Sequence, residues 1–212
     1  LPSSRKEDVE MKLKHAAFFL IWLFIVLMGF SFMERYVHRA GKAGPSPESW
    51  PSQSRIPFSV GRPMFVLFVH PLCACSVATF GELERLMVNF RGRIDVRIVF
   101  SGPLTDEATL AQSSVWQKSR QLKGADVFVD RDEREAKLFG AMTSGQTYLF
   151  DSNGKRVFAG GITPSRGHQG DSEGRLAILH WLETNHILLA TSKSYGCSLS
   201  KTSREPTSEA EP

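Results

Sequence analysis

The chain has 212 residues, a formal net charge of +4, 42% hydrophobic residues and only three cysteines. That length fits one domain with appendages, and the apolar content is enough to build a core. Three cysteines are too few for a disulfide scaffold, and scattered basic residues without interleaved aromatics argue against a nucleic-acid partner.

The first feature is the uncharged run AAFFLIWLFIVLMGFSFM, Ala16 to Met33, preceded by Lys12 and Lys14 and ended by Glu34 and Arg35. A helix apolar on every face and of this length is expected to span a bilayer. A buried core helix and a cleaved signal peptide compete with that reading. Gly29 and Ser31 are small residues of the kind a cleavage site needs, but Phe30, Phe32 and Met33 beside them are bulky, which favours an uncleaved anchor. Met11 is a candidate start, with the preceding residues then a translation artefact. Basic residues on both sides leave the orientation open. The cysteine usage places the bulk of the chain outside the cytoplasm, so a single-pass inner-membrane protein with a periplasmic domain is expected. The organisation expected is 1–15 as cytoplasmic N-terminus, 16–33 as anchor, 34–62 as linker, 63–190 as the folded domain and 191–212 as a flexible tail.

Within the domain, strand and helix patterns alternate. Met64 to Val69 is a short apolar run, as in a strand covered on both faces. Val77, Phe80, Leu83, Leu86, Met87 and Phe90 recur at helical spacing. Ile94 to Phe100 returns to strand, Thr105-Asp106-Glu107 opens a helix closing at Lys123-Gly124, and Val127 to Val129 is another strand. Asp130 with Glu133 resembles a capping box for a helix ending near Gly140. Thr147 to Asp151 and Val157 to Gly160 flank the turn Ser152-Asn153-Gly154 and form a hairpin. A last helix, Ser172 to Asn185, is expected to bury Leu176, Ile178, Leu179, Trp181 and Leu182. The pattern predicts an α/β fold with a mixed central sheet flanked by helices.

The chemistry points to His70-Pro71-Leu72-Cys73-Ala74-Cys75-Ser76, where a buried strand gives way to a helix. Free backbone N–H groups and the positive end of the helix dipole there favour thiolate over thiol. Two buried structural cysteines are the plainer alternative.

Strand, cysteine pair, helix, strand and a final hairpin resemble the thioredoxin superfamily. The segments FVHPLCACSVATFGELERL, FGAMTSGQTYLFDSNGKRVFAGGIT, RGHQGDSEGR and YGCSL are similar to the bacterial membrane-anchored RedB-type thioredoxin-like proteins, over about Trp50 to Leu199. The resemblance implies an N-terminally anchored thioredoxin fold. It matches Cys73 to the attacking cysteine, puts Ser76 where thioredoxins carry their second cysteine, and puts Gly145 where they carry a cis-proline. The second thiol falls one residue early, at Cys75, and a Cys-X-Cys disulfide closes a smaller, more easily reduced ring.

Around the pair, Pro71 ends the strand and His70 is a nearby titratable group. In this fold the loop after the final hairpin approaches the cysteines, so Arg166 and His168 are candidates to stabilise a thiolate or an anionic substrate; holding their own loop is the alternative. Cys197 is a candidate resolving thiol or an incidental one. Three functions follow. The first is thiol–disulfide exchange on protein thiols or disulfides, with no cofactor, carried by Cys73 with Cys75 or Cys197. The second is a copper chaperone, because two cysteines and a histidine suit Cu(I). The third is peroxide reduction by Cys73 aided by His70 or Arg166.

Overall fold

The computed structural model describes residues 3–90, 92–103 and 105–200. The chain divides into two compact units, Leu1–His38 and Arg39–Pro212.

The first unit is one helix, α1 (Ser3–Val37). Its stretch Glu10–Val37, with a mean hydropathy of 2.4, is long and apolar enough to cross a membrane. A salt bridge from Lys14 to Glu10 precedes the apolar run, and Glu34 with His38 closes the helix.

The second unit is built on five strands: β1 (Met64–Val69), β2 (Asp95–Ser101), β3 (Ala125–Asp130), β4 (Gln146–Phe150) and β5 (Arg156–Gly160). Their order is β3-β2-β1-β4-β5. β1 pairs parallel with β2, and β2 with β3, while β4 runs antiparallel to both β1 and β5. The parallel pairs require crossovers, supplied by α2 (Ser76–Phe90) and by α3 (Glu107–Gln112) with α4 (Ser114–Gln121). α5 (Arg134–Phe139) and α6 (Glu173–Thr184) complete the unit.

β1 is buried along its whole length, which explains its unbroken apolar sequence. Alternation still divides its side chains between two faces. Phe65, Leu67 and Val69 join Phe80, Leu83, Leu86 and Phe90 of α2 and Ala177, Ile178 and Trp181 of α6. Met64, Val66 and Phe68 join Ala136 and Phe139 of α5, with Tyr148 and Phe150. Each such side chain contributes about 1.5–3 kcal/mol, so β1, centre of both layers, is the most firmly held element.

Several local expectations shift by a physical cause. The helix expected from Thr105 to Lys123 is two helices, because Ser113 leaves helical geometry and caps α4 by accepting a bond from the Trp116 N–H. Asp130 does cap α5, accepting from the Glu135 and Ala136 N–H groups, but Glu133 is itself the N-cap residue in a left-handed conformation and makes no side-chain cap bond. In α6, Ile178 and Trp181 are buried, whereas Leu176 is 51% exposed.

Both flanking segments fold onto the domain. In the expected linker, Trp50 stacks against Phe58, Phe139 and Phe150, and Ile56 is buried. Glu135 anchors it, accepting from the Ser54 hydroxyl at 2.6 Å and the Arg55 N–H at 2.9 Å. The segment expected to be a flexible tail is, over residues 191–200, a strap laid on the domain: Thr191 bridges Ala159, Ser198 bridges Thr143, and Leu199 is 1% exposed. Its polar composition hid the few contacts that hold it. Residues 201–212 of that expectation lie outside the described residues.

Candidate functional site

β1 ends at Val69, and residues 70–75 form the turn into α2. Pro71 cannot extend the ladder; its carbonyl accepts a 2.6 Å bond from the Ser113 hydroxyl, tying the turn to the start of α4. The Cys73 N–H returns to the His70 carbonyl, and the Ser76 N–H to the Cys73 carbonyl. The result places Cys73 at the N-terminal end of a 15-residue helix, 1% exposed.

Donors converge on the Cys73 sulfur. The Cys197 N–H reaches Sγ at 3.2 Å. The Cys197 thiol, the Ser76 hydroxyl and the Cys75 backbone N–H also favour its charged form. With the Cys197 thiol as the largest contributor, and against the cost of burial, these bonds lower the Cys73 thiol to about 5. The other two thiols move the opposite way. Cys197 is raised because its proton is shared toward the Cys73 sulfur, and burial and the Cys73 charge add to this. Cys75 is raised by burial and then by the Cys73 charge, with Arg166 acting in the opposite sense. The arrangement is one thiolate supported by a neighbouring thiol.

Ser76 is part of a longer relay. Its hydroxyl lies 2.9 Å from that of Ser144, which accepts a 2.8 Å bond from the His70 N–H. If Ser76 donates to the thiolate, Ser144 donates to Ser76. Ser144 was not singled out in the sequence, where only its neighbour Gly145 stood out by its match to the cis-proline position. No cis peptide bond occurs among the described residues. Gly145 sits at φ +92°, where a side chain is strained, and its N–H bonds the Phe68 carbonyl at 2.8 Å.

The remaining candidates separate. The Arg166 guanidinium acts on the Cys75 thiol and donates to the carbonyls of Gly196 (2.8 Å) and Arg39 (3.1 Å). It thereby joins the loop after β5 to both flanking segments. His168 is exposed, and its Nδ1 meets the Arg166 carbonyl at 2.7 Å, which holds the turn between Ser165 and His168. His70 is half-buried, with Nδ1 accepting from the Leu72 N–H. Cys197, an exposed thiol, is brought onto the Cys73 sulfur. Among the described residues, no group of three or more His, Cys, Asp or Glu is placed to hold a metal ion.

A mixed sheet in the order β3-β2-β1-β4-β5, with a thiolate where β1 enters α2, defines a thioredoxin-like fold. The first two of the following solved structures share the fold. A hypothetical protein from Sinorhizobium meliloti 1021 is similar with a TM-score of 0.55 and 16% identity, over 77% of this chain and 97% of that one. An uncharacterized conserved protein from Geobacillus kaustophilus gives 0.54 and 19%, over 76% and 92%. A putative thiol:disulfide interchange protein DsbE from Chlorobium tepidum gives 0.42 and 17%, over 70% and 97%. No protein-family model and no curated protein matches the chain.

Proposed function

We propose that the chain is a membrane-tethered thiol–disulfide oxidoreductase acting outside the cytoplasm on protein thiols or disulfides. Cys73 is its nucleophile, Cys197 the thiol that resolves its mixed disulfide, and Cys75 a second resolving thiol. The observation that carries this reading is the approach of Cys197 to a buried Cys73 sulfur at a helix N-terminus, with an N–H bond of 3.2 Å and a shared thiol proton. Exchange needs one thiolate and one thiol within reach of it, and both are supplied. α1 supports the tether. The motif resemblance to RedB-type proteins is consistent with an inner-membrane anchor and a periplasmic domain.

In the reducing direction, the Cys73 thiolate attacks a partner disulfide, one partner sulfur leaves as thiolate, and a mixed disulfide forms. Cys197 then gives up its proton and attacks the Cys73 sulfur. The second partner thiol leaves, and a Cys73–Cys197 disulfide remains. The Ser144–Ser76 relay and the helix N-terminus stabilise the Cys73 thiolate before attack, and when it leaves in the reverse reaction. No cofactor enters.

The test is exchange with a glutathione-based mixed disulfide, using full-length protein in detergent, followed by mapping of the oxidised product by mass spectrometry. A Cys73–Cys197 linkage in the turnover product is expected. One tightly bound copper per chain together with no exchange activity would overturn the proposal in favour of a copper chaperone.

A further inference from the structure

Cys73 is 1% exposed, and one segment of its own chain, Gly196-Cys197-Ser198-Leu199, lies against its sulfur through the Cys197 N–H. This segment is held by an isolated antiparallel bridge just ahead of β4. The Ser144 N–H donates to the Cys197 carbonyl at 2.8 Å, the Leu199 N–H donates to the Met142 carbonyl at 2.9 Å, and Ser198 lies opposite Thr143.

The seat discriminates at three of its four positions. A Cβ on Gly196 would overlap the Ser144 carbonyl oxygen, so only glycine fits there. Arg166 receives the carbonyl of the same residue. The next residue delivers its sulfur to Cys73. The Ser198 side chain is half-exposed and is not selected by packing. Leu199 is buried in the apolar cluster that contains Phe68, Phe139 and Tyr148.

An external disulfide cannot reach a 1% exposed sulfur while this segment is in place. Its departure leaves the Ser144 N–H, the Met142 carbonyl and an apolar socket unmatched. These are the groups that an incoming extended chain can satisfy by strand addition.

We infer that Gly196–Leu199 occupies the seat of the protein substrate, and that the site selects extended segments reading Gly-Cys-X-Leu, or another large aliphatic at the last position, with the cysteine in a disulfide. The inference rests on the redox reading of Cys73. The strap leaves, and the partner segment takes its place. The Cys73 thiolate then bonds to the motif cysteine while the partner's S–S bond breaks, and the electron pair departs on the other partner sulfur, which is protonated by solvent. The strap's return brings Cys197 to the Cys73 sulfur. Cys197 loses its proton to solvent and bonds to Cys73, and the motif cysteine leaves as a thiolate. Because strap and substrate use the same backbone groups, the partner segment, still tethered through the mixed disulfide, must lift from the seat before the returning Cys197 attacks the Cys73 sulfur in line with the departing motif sulfur. The partner gains two electrons, and Cys73 and Cys197 lose them.

The experiment uses full-length protein carrying Cys75→Ser and Cys197→Ser in detergent, which captures substrate without internal resolution. Peptides containing Gly-Cys-Ser-Leu, Val-Cys-Ser-Leu or Gly-Cys-Ser-Asp, each with the cysteine as a thionitrobenzoate disulfide, are mixed with it. Dye release is normalised to the rate of each peptide with dithiothreitol. The Gly-Cys-Ser-Leu peptide is expected to react about tenfold faster than either of the others, the scale of one lost steric or apolar fit. Adding Gly196→Val to the chain loosens the strap and is expected to accelerate the preferred peptide severalfold. Equal normalised rates, or no acceleration by Gly196→Val, would overturn the substrate assignment while leaving the redox reading standing. Absence of dye release from every peptide and from a small aromatic disulfide would sink both.

Discussion

The two sides of the Cys73 sulfur are built in opposite ways. On one side, residues 70–76 hang from β1, the strand buried on both faces and hydrogen-bonded to β2 and β4. On the other, the strap 191–200 is held by scattered backbone bonds and one fully buried side chain, Leu199. Local stability follows buried apolar contact and protected hydrogen bonding, so the first side is fixed and the second is removable. The difference suits the exchange chemistry proposed above, in which Cys73 as nucleophile stays oriented while Cys197 as resolving thiol gives way to a substrate and returns. It also divides the electrostatics. The fixed side supplies Ser76, the Cys75 N–H and the helix end; the removable side supplies the Cys197 thiol, the largest contributor to the lowered Cys73 value.

The comparison can be broken most directly at its centre. Cys73→Ser is expected to reduce exchange by about a thousandfold or more, since no hydroxyl replaces a thiolate in this reaction; the rate with a glutathione mixed disulfide measures it. Removing the contribution of the strap comes next. Cys197→Ser is expected to raise the Cys73 value from about 5 toward the ordinary thiol range. At pH 6 the first unit of that rise roughly halves the thiolate and each further unit costs about tenfold, so a rise of about two units or more should lower the iodoacetamide alkylation rate at that pH by about tenfold or more. An unchanged rate would show that the fixed side alone sets the thiolate.

Leu199→Asp tests how the strap is held. Burying a carboxylate in an apolar socket costs about 2 kcal/mol or more, which releases the strap. Amide exchange of residues 196–199 should speed up by about thirtyfold, while β1 amides stay protected. Equal loss of protection in β1 would contradict the fixed-versus-removable distinction.

The pH dependence of stability in the reduced protein is a smaller effect with a definite sign. The folded Cys73 value lies below the unfolded one, so its contribution is complete above the ordinary thiol value and is lost as pH falls toward about 5. Cys75 and Cys197 are raised, so their contribution is present below the ordinary thiol value and declines above it. Chemical denaturation should therefore give a thiol-dependent maximum near pH 8–8.5, roughly the unperturbed thiol value, and Cys73→Ser should remove the rising limb. The smallest change is expected for Ser144→Ala, which acts on the thiolate only through Ser76. It should move the alkylation midpoint of Cys73 up by roughly half a pH unit, and Ser144→Thr should restore it.

The amino-acid sequence by itself determined the strand–helix alternation, the hairpin at Ser152-Asn153-Gly154, the apolar helix near the N-terminus and the strand-to-helix turn that carries Cys73. Each of these is a local signal: an apolar period, a turn residue, or a cysteine at a predicted helix start. Tertiary structure alone decided which thiol faces Cys73. Cys75 is only two residues away in the sequence, yet the thiol that contributes most at the Cys73 sulfur, and the 3.2 Å N–H bond to it, belong to Cys197, 124 residues away. It also decided that Ser144 belongs to the site and that His168 holds its own turn. The strap was illegible for the same reason. A segment of Ser, Thr and Lys with Tyr195, Gly196, Cys197 and one leucine carries no periodicity, and the strap's order comes from backbone groups left open at residues 142–144 and a socket built by β1, β4 and α5. Backbone pairing at a distance leaves no mark on local composition, because every residue except proline brings the same donor and acceptor.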